Sequence, residues 1–443
     1  MDQPSGAERL TPATPAPRTG VRYRHYVLGV LLVISVFNFV DRQLLAVLSP
    51  EIKTELGLSD TELGILKGLA FALFYSVMGI PLARVADRYS RVNLISISIV
   101  LWSAMTAVSG AAAGFLHLLL ARIGVGVGEA GATPASHSLI SDYFSQTERS
   151  TALAILALGV PIGTTFGFLA GGWLTMEVGW RMAFVLVGAP GIAVGLLARL
   201  TIHEPARGAQ DGAAARPSDP PAGMAETIAL LWRIGSYRTI AIGGALASLS
   251  GYAISMWLVD LLVRVHGLTY GDILVELALA VGLGGGLGTY FGGVIADRFG
   301  SRSVAAYLIV PGLGMIALGP LLMLALWSGS ETVIFTAFFF VFAMNYSCFG
   351  PFYGTVQTLA PVRARATATA FLFFIMALAG AGLGPLLMGM LSDALEPAHG
   401  SAEALRLALS GVPFISAGAG FFVILRAGRL DADLAARAEE QVS

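Results

Sequence analysis

The chain has 443 residues, of which 56% are hydrophobic and only 12% charged, and its net charge is −1. A soluble domain carries about 25% charged residues, so this chain lacks the polar surface that water requires. Near-neutrality argues against broad attraction to nucleic acid, and the lone Cys348 cannot form an internal disulfide. Cys348 lies in an apolar run and reads as a small buried hydrophobe.

A bilayer crossing needs about 20 mostly apolar residues. That rule predicts twelve spans, at 25–49, 61–84, 92–113, 116–140, 150–175, 181–201, 236–264, 271–296, 303–326, 331–358, 364–392 and 404–426. The expected fold is an all-α polytopic membrane protein with two six-helix bundles, 25–201 and 236–426. Residues 1–24, rich in Pro, Thr, Ala and Arg, read as a disordered tail. The first apolar run exceeds the 7–15 residues, roughly, of a signal-peptide core. Residues 202–235 hold Pro205, Pro217, Pro220 and Pro221 among charges and read as a mobile linker, and 427–443 as a second tail.

Loop charge sets the expected orientation. With the N-terminus in the cytoplasm, twenty arginines fall on the cytoplasmic side. The other side receives Lys53, Lys67, Arg181, Arg264 and Arg406. Positive loops stay inside, so both termini are predicted cytoplasmic, and the short soluble tails point to a bacterial chain and a cell inner membrane.

The halves repeat. Gly79-Ile-Pro-Leu-Ala-Arg-Val-Ala-Asp87-Arg88 after span 2 is echoed by Gly292-Gly-Val-Ile-Ala-Asp297-Arg298 after span 8, with the aspartates 210 residues apart. Arg149-Ser-Thr-Ala-Leu-Ala and Arg365-Ala-Thr-Ala-Thr-Ala echo each other at an offset of 216. Paired repeats with a site at their interface are a secondary-transporter architecture.

Charges inside the spans are the sharpest functional signal. Span 1 carries Asp41-Arg42, and span 4 carries Arg122 and Glu129, seven residues apart and therefore on one helix face. A charge at membrane depth costs roughly 2.5–3.5 kcal/mol on insertion scales and marks pathways. Burial favours a neutral carboxyl and a nearby guanidinium favours its ionised form, so moving an arginine would trade a proton. Asp41 and Glu129 are the expected proton carriers, and Arg42 and Arg122 their partners and head-group contacts. A static ion-pair lock is the competing reading, which stability alone explains poorly.

The repeated loop signal predicts a cytoplasmic gate of Gly79, Asp87, Arg88, Arg91, Asp297 and Arg298. An acid there can meet the N-terminus of a neighbouring helix, forming in one conformation and breaking in the other. Dense glycines in spans 4, 5 and 8 serve tight packing or bending during transport, and Pro161 and Pro385 add potential bends. Polar and aromatic residues inside spans supply the cavity candidates Asn38, Tyr75, Tyr252, Trp257, Asp260, Asn345, Tyr346, Tyr353 and Phe374. His137 reads as a hydrogen-bonded helix histidine. No phosphate-binding loop, metal-ligand cluster or nucleophile set occurs, so neither enzyme chemistry nor a cofactor or metal is expected, and a gradient must supply the energy.

These residues together resemble the major facilitator superfamily across essentially the whole chain. Gly79…Asp87-Arg88-Tyr-Ser-Arg91 is similar to its loop motif, with Ser90 at the usual glycine. Arg122-Ile-Gly-Val-Gly-Val-Gly128 is similar to its span 4 arginine motif, with Val125 at the usual glutamine. Gly159-Val-Pro161-Ile-Gly163 is loosely similar to the antiporter glycine-proline motif. Within the superfamily, Phe37-Asn38-Phe39-Val40-Asp41-Arg42, Gly126-Val-Gly-Glu129-Ala130 and Ile140-Ser-Asp142-Tyr-Phe144…Glu148-Arg149-Ser150 resemble the Spinster family. That resemblance implies proton-linked, alternating-access transport of amphiphilic lipids such as sphingosine-1-phosphate or lysophospholipid, with Asp41, Arg42, Arg122 and Glu129 in coupling and gating. The expected partners are a lipid-like substrate, protons and membrane lipid, with no nucleic acid and a monomeric chain. The alternative expectations are transport of small organic anions or drugs, a flux-free sensor, and passive lipid scrambling.

Overall fold

The computed structural model describes residues 20–207, 224–361 and 364–442. The expected tail over 1–19, part of the linker (208–223) and Arg363 lie outside them. Long apolar runs without hydrogen-bonding partners in lipid must satisfy their backbone internally, and a helix does so. The described spans are accordingly all helical: α1 Val21–Leu56, α2 Asp60–Arg88, α3 Arg91–Ser109 and α4 Phe115–Tyr143. Next comes Thr151–Thr201, then α7 Gly235–Arg264, α8 Tyr270–Gly300, α9 Ala306–Trp327, α10 Glu331–Leu359, α11 Thr367–His399 and α12 Ser401–Arg426.

By length and composition these are 11 candidate spans, but the 51 residues of Thr151–Thr201 are two. A straight helix of that length would run about 75 Å, more than twice a bilayer core. Gly179 breaks it with φ 74° and ψ 165°. Only glycine adopts such a backbone freely. The limb before it, α5, packs along α1, where Gly163 meets Val36 and Phe39 and Gly167 meets Gln43. The limb after it, α6, returns along α3, where Gly188 meets Ser103 and Ala107. Among the described residues twelve spanning helices result, α1–α6 and α7–α12, and the start of α1 and the end of α12 lie on one side, here the terminal face. The linker ends in a helix, Met224–Arg233, and another, Arg429–Val442, follows α12.

The duplication is visible in backbone irregularities. A π-turn interrupts α2 at Ile65–Leu69 and α8 at Leu279–Gly284. Helix α4 is broken at 130–131 and α10 at 347–348. The offsets, 214 and 217 residues, lie close to those of the repeated motifs. A third π-turn, Leu378–Leu383 of α11, packs against that of α2 across the bundle interface.

The apolar cores show how the bundles meet. Toward the face opposite the termini, one core joins them: Leu44, Leu48, Ile52 and Leu66 with Trp257, Leu258, Leu262 and Met388. Toward the terminal face the core divides. Leu31, Ile99 and Leu139 belong to one cluster of the first bundle, and Tyr237, Phe352 and Leu372 to one of the second. The bundles are fused at one end and separate at the other.

The fusion demands small residues. A Cβ on Gly389 of α11 would stand 2.1 Å from the Asp60 carbonyl oxygen of α2. Overpacking of this kind costs about 1–3 kcal/mol. Gly389→Ala is therefore expected to lower the melting temperature in detergent and to loosen only the fused face, as read by hydrogen exchange of residues 58–64 and 389–396.

Candidate functional site

Helix geometry divides the Asp41-Arg42 pair, because successive residues on a helix point about 100° apart. Asp41 is 3% exposed and turns into its own bundle, where Oδ1 accepts a hydrogen bond from Thr106 Oγ1 of α3 at 2.7 Å. Its Oδ2 is buried without a partner, beside Phe37, Trp102, Ser103 and Gly188. Arg42 turns instead to α4, and its Nε donates to Glu129 Oε2 at 2.9 Å. Glu129 is fully buried, and its Oε1 has no partner.

The Arg42 guanidinium is caged by rings. It lies 5.0 Å from the centroid of Phe39, 4.7 Å from Phe71 and 4.9 Å from Tyr75. Arg122, 3% exposed, shares the Phe71 ring at 5.5 Å, and its Nε donates to the Leu66 carbonyl at 3.4 Å. Aromatic faces stabilise desolvated cations. The four predicted charges thus gather between α1 and α4, with Asn38 buried one turn from Arg42.

On the second bundle, Tyr346 meets Phe349 at 5.7 Å, Phe349 stacks on Tyr353 at 6.2 Å, and Tyr353 meets Phe373 at 4.8 Å. Tyr75, Tyr252, Tyr346 and Tyr353 are half-buried and Phe374 is exposed. Asn345 is buried within its bundle, donating to the Ala247 carbonyl at 3.0 Å. Cys348 is buried and His137 is exposed.

Trp257 and Asp260 lie at the fused face rather than along that aromatic ladder. Asp260 accepts from Lys67 Nζ at 2.5 Å and from Ser49 Oγ at 2.6 Å, both of the first bundle. Beside it, Asp60 receives Arg264 in a two-pronged contact at 2.8 and 2.9 Å, Lys53 at 2.5 Å and Ser392 at 2.6 Å. Asp393 of α11 accepts the Asp60 and Thr61 amides at 2.8 and 2.7 Å, capping the start of α2 from across the interface. Asp60, Asp393 and Glu396 lie within 4.8 Å of one another. The Asp60 and Asp393 oxygens are already taken, so this is a bonded hub rather than an open ligand set. The sequence held a signal for it in the charge of Lys67 inside an apolar run, but the pairing joins residues 193 to 333 positions apart.

The terminal face lacks such bonds. Among the described residues every hydrogen bond between the bundles lies on the fused half. Asp87, Arg88, Asp297 and Arg298 are exposed, and none forms an ion pair among the described residues; Asp297 accepts only from Tyr307 at 3.0 Å. Gly79 has open space around its Cβ position. Arg91 is buried within its own bundle, bonded to Asp142, to Glu204 at 2.7 Å and to the Pro205 carbonyl at 3.1 Å. Burial pushes the Glu204 carboxyl up, but bonds from the Val92 amide, Arg91 and Ser90 outweigh it and hold the group below its ordinary value.

Two outcomes follow. Arg264→Gln leaves buried Asp60 short of its two-pronged partner, and breaking a buried pair costs about 3–5 kcal/mol. A cysteine placed at the fully buried Ser49 is expected to react with an impermeant maleimide at least about tenfold faster in that variant, since 1.4 kcal/mol is a factor of ten. For Glu204, a lowered folded-state value contributes stability that is present above the unfolded value and lost as pH falls through the folded one. Glu204→Gln is expected to flatten the fall in melting temperature below about pH 4.5, the region of an ordinary glutamate.

The Major Facilitator Superfamily profile matches residues 31–385. The chain is 34% identical over 399 residues to an MFS-type efflux pump of Mycolicibacterium smegmatis, covering 89% of this chain and 90% of that one. It is 28% identical over 350 residues to Protein spinster homolog 1 of Homo sapiens, covering 75% of this chain and 65% of that one, so it spans less than two thirds of that relative. A solved bacterial homolog of the human lysosomal transporter Spinster, inward-facing and unoccupied, superimposes with a TM-score of 0.86 at 31% identity, covering 94% of this chain and 99% of that one. The chain therefore belongs to the Spinster branch of the Major Facilitator Superfamily and is a membrane transporter, not an enzyme.

Proposed function

We propose that the chain is a proton-coupled, alternating-access transporter of amphiphilic lipids with an anionic head group, such as lysophospholipid or sphingosine-1-phosphate. It acts as a monomer in the bacterial inner membrane with both termini in the cytoplasm, so the separated end of the bundles faces inward. The observation that carries this reading is the ring-caged Arg42, bonded to Glu129 while an oxygen of Glu129 and one of Asp41 stay buried and unpartnered. A buried acid keeps its proton until a guanidinium approaches. A head group drawing Arg42 away would free Glu129 to take a proton, and return of Arg42 would expel it. The aromatic ladder of α10 and α11 offers an apolar wall for the tail. Asp87, Arg88, Asp297 and Arg298 would close the inner end in the opposite state, when Asp87 approaches the start of α11.

A second reading, export of small organic anions or drugs, is favoured by the likeness to an efflux pump over nearly the full length of both chains. Uptake of a fluorescent lysophospholipid into proteoliposomes under an imposed proton gradient tests the first. Glu129→Gln and Asp41→Asn are each expected to abolish the pH dependence. Arg42→Ala is expected to slow uptake at least about tenfold, since a hydrogen bond to a charged group contributes about 1.5–3 kcal/mol. Unchanged pH dependence in both acid variants overturns the coupling assignment. Gradient-driven uptake of organic anions with none of lysolipid would replace the substrate.

A further inference from the structure

Lysine occurs only twice in this chain, at Lys53 and Lys67, and both side chains sit at the fused face bonded to carboxylates. Lys67 is the deeper one, 4% exposed. It stands within the π-turn Ile65–Leu69, a backbone device frequent at functional sites. The matching π-turn of α8, Leu279–Gly284, carries no charge. The cation is thus an addition to a repeated backbone feature, not a requirement of it.

The hydrogen bond and the ring contact of the Lys67 ammonium both come from the other bundle. Asp260 Oδ2 accepts from it at 2.5 Å, and the Trp257 ring lies 3.9 Å below it. Trp257 is itself anchored on the Pro385 carbonyl at 2.9 Å, also in the second bundle. Asp260 Oδ1 is buried and unpartnered, so the carboxylate is incompletely satisfied where it lies. Parting the bundles at this face carries Asp260, Trp257 and Arg264 away together. Lys67 stays with the first bundle, next to Arg122, which is bonded to the carbonyl of the preceding Leu66. Asp60, two turns away on the same helix, keeps Lys53 of its own bundle. Glu129 is held by Arg42. With Arg264 and Ser392 gone, Asp60 is the first-bundle acid in electrostatic reach of Lys67, and it is shared with Lys53, so an ammonium that has lost its direct bond to Asp260 has room for an incoming anion.

We propose that Lys67 is an anion-binding site for the phosphate or carboxylate of a substrate head group in the conformation open at this face, and that Asp260 is its built-in competitor in the conformation seen here. The inference rests on the alternating-access reading. A lysine suits a transient site, because a point charge accepts oxygens from many directions without the fixed fork of arginine. The second cation, Arg122, marks the path from Arg42 to Lys67 along one wall.

The test measures binding of dodecyl phosphate to the purified full-length chain in detergent by calorimetry, with inorganic phosphate and the neutral dodecyl maltoside as parallel probes. Asp260→Asn unmasks Lys67 and is expected to tighten dodecyl phosphate binding at least about fivefold, near 1 kcal/mol by the standard conversion. Dodecyl maltoside binding stays unchanged. Adding Lys67→Gln removes the gain, and adding Lys67→Arg retains it. A gain shared by inorganic phosphate assigns the site to the bare oxyanion; a gain confined to dodecyl phosphate assigns it to an amphiphile's head group. Either outcome supports Lys67. No gain in Asp260→Asn, or a gain that survives Lys67→Gln, overturns the proposal. A measurement without any Asp260 variant guards against a folding defect. Dodecyl phosphate is expected to speed maleimide labelling of Ser49→Cys, and Lys67→Gln to abolish that effect; equal labelling with and without Lys67 overturns the proposal. Failure of lysolipid uptake would count against the transport reading, while this binding comparison stands on its own.

Discussion

A charge inside an apolar slab must have a partner, and which bundle supplies the partner decides what the pair does. Arg42 and Glu129 both belong to the first bundle. Their pair can rearrange without moving the bundles, which is what the proposed proton switch requires. Lys67 and Asp260, and Asp60 and Arg264, are drawn from opposite bundles. Those pairs cannot part unless the bundles do, so they act as bolts. The terminal face has charges of the same kinds but no pairs between bundles among the described residues. One chemical rule thus gives a pair within one bundle in the middle, pairs between bundles at one end and, among the described residues, none between bundles at the other.

Much of this was legible in the sequence, for definite reasons. Spans are read from apolar length, and the twelve expected helices match those present, because lipid leaves the backbone no other way to satisfy itself. Asp41, Arg42, Arg122 and Glu129 stood out because each breaks an apolar run. Their assortment did not: Asp41 turns to Thr106 and away from Arg42, a consequence of adjacent residues diverging on a helix. Trp257 and Asp260 read as cavity residues, since no local pattern reveals which end of a cavity is shut. The Asp60–Arg264 and Lys67–Asp260 pairs escaped because their partners lie in the other half of the chain. Arg91 shared a motif with the predicted gate, yet its partners are Asp142 of its own bundle and Glu204 and Pro205 at the start of the linker, none of them in the second bundle.

The duplication goes deeper than the motifs that announced it. Spans 2 and 8 share a π-turn, and spans 4 and 10 share a break, although the side chains at those places differ. π-turns are rare and frequent at functional sites, and at α2 and α11 two such turns face each other across the interface. Keeping the irregularity while changing Lys67 to an apolar residue in the other half separates two duties. The backbone feature belongs to both halves, and the charged side chain to one.

The core shared by both bundles has a thermal consequence. Opening the fused face would expose Leu48, Leu66, Leu258 and their neighbours to a water-filled vestibule. Exposure of apolar surface raises heat capacity, and its free-energy cost shrinks on cooling. Closing the terminal face in the same step buries apolar surface again, so the temperature dependence of the balance between the two access states reads the difference between the two buried areas.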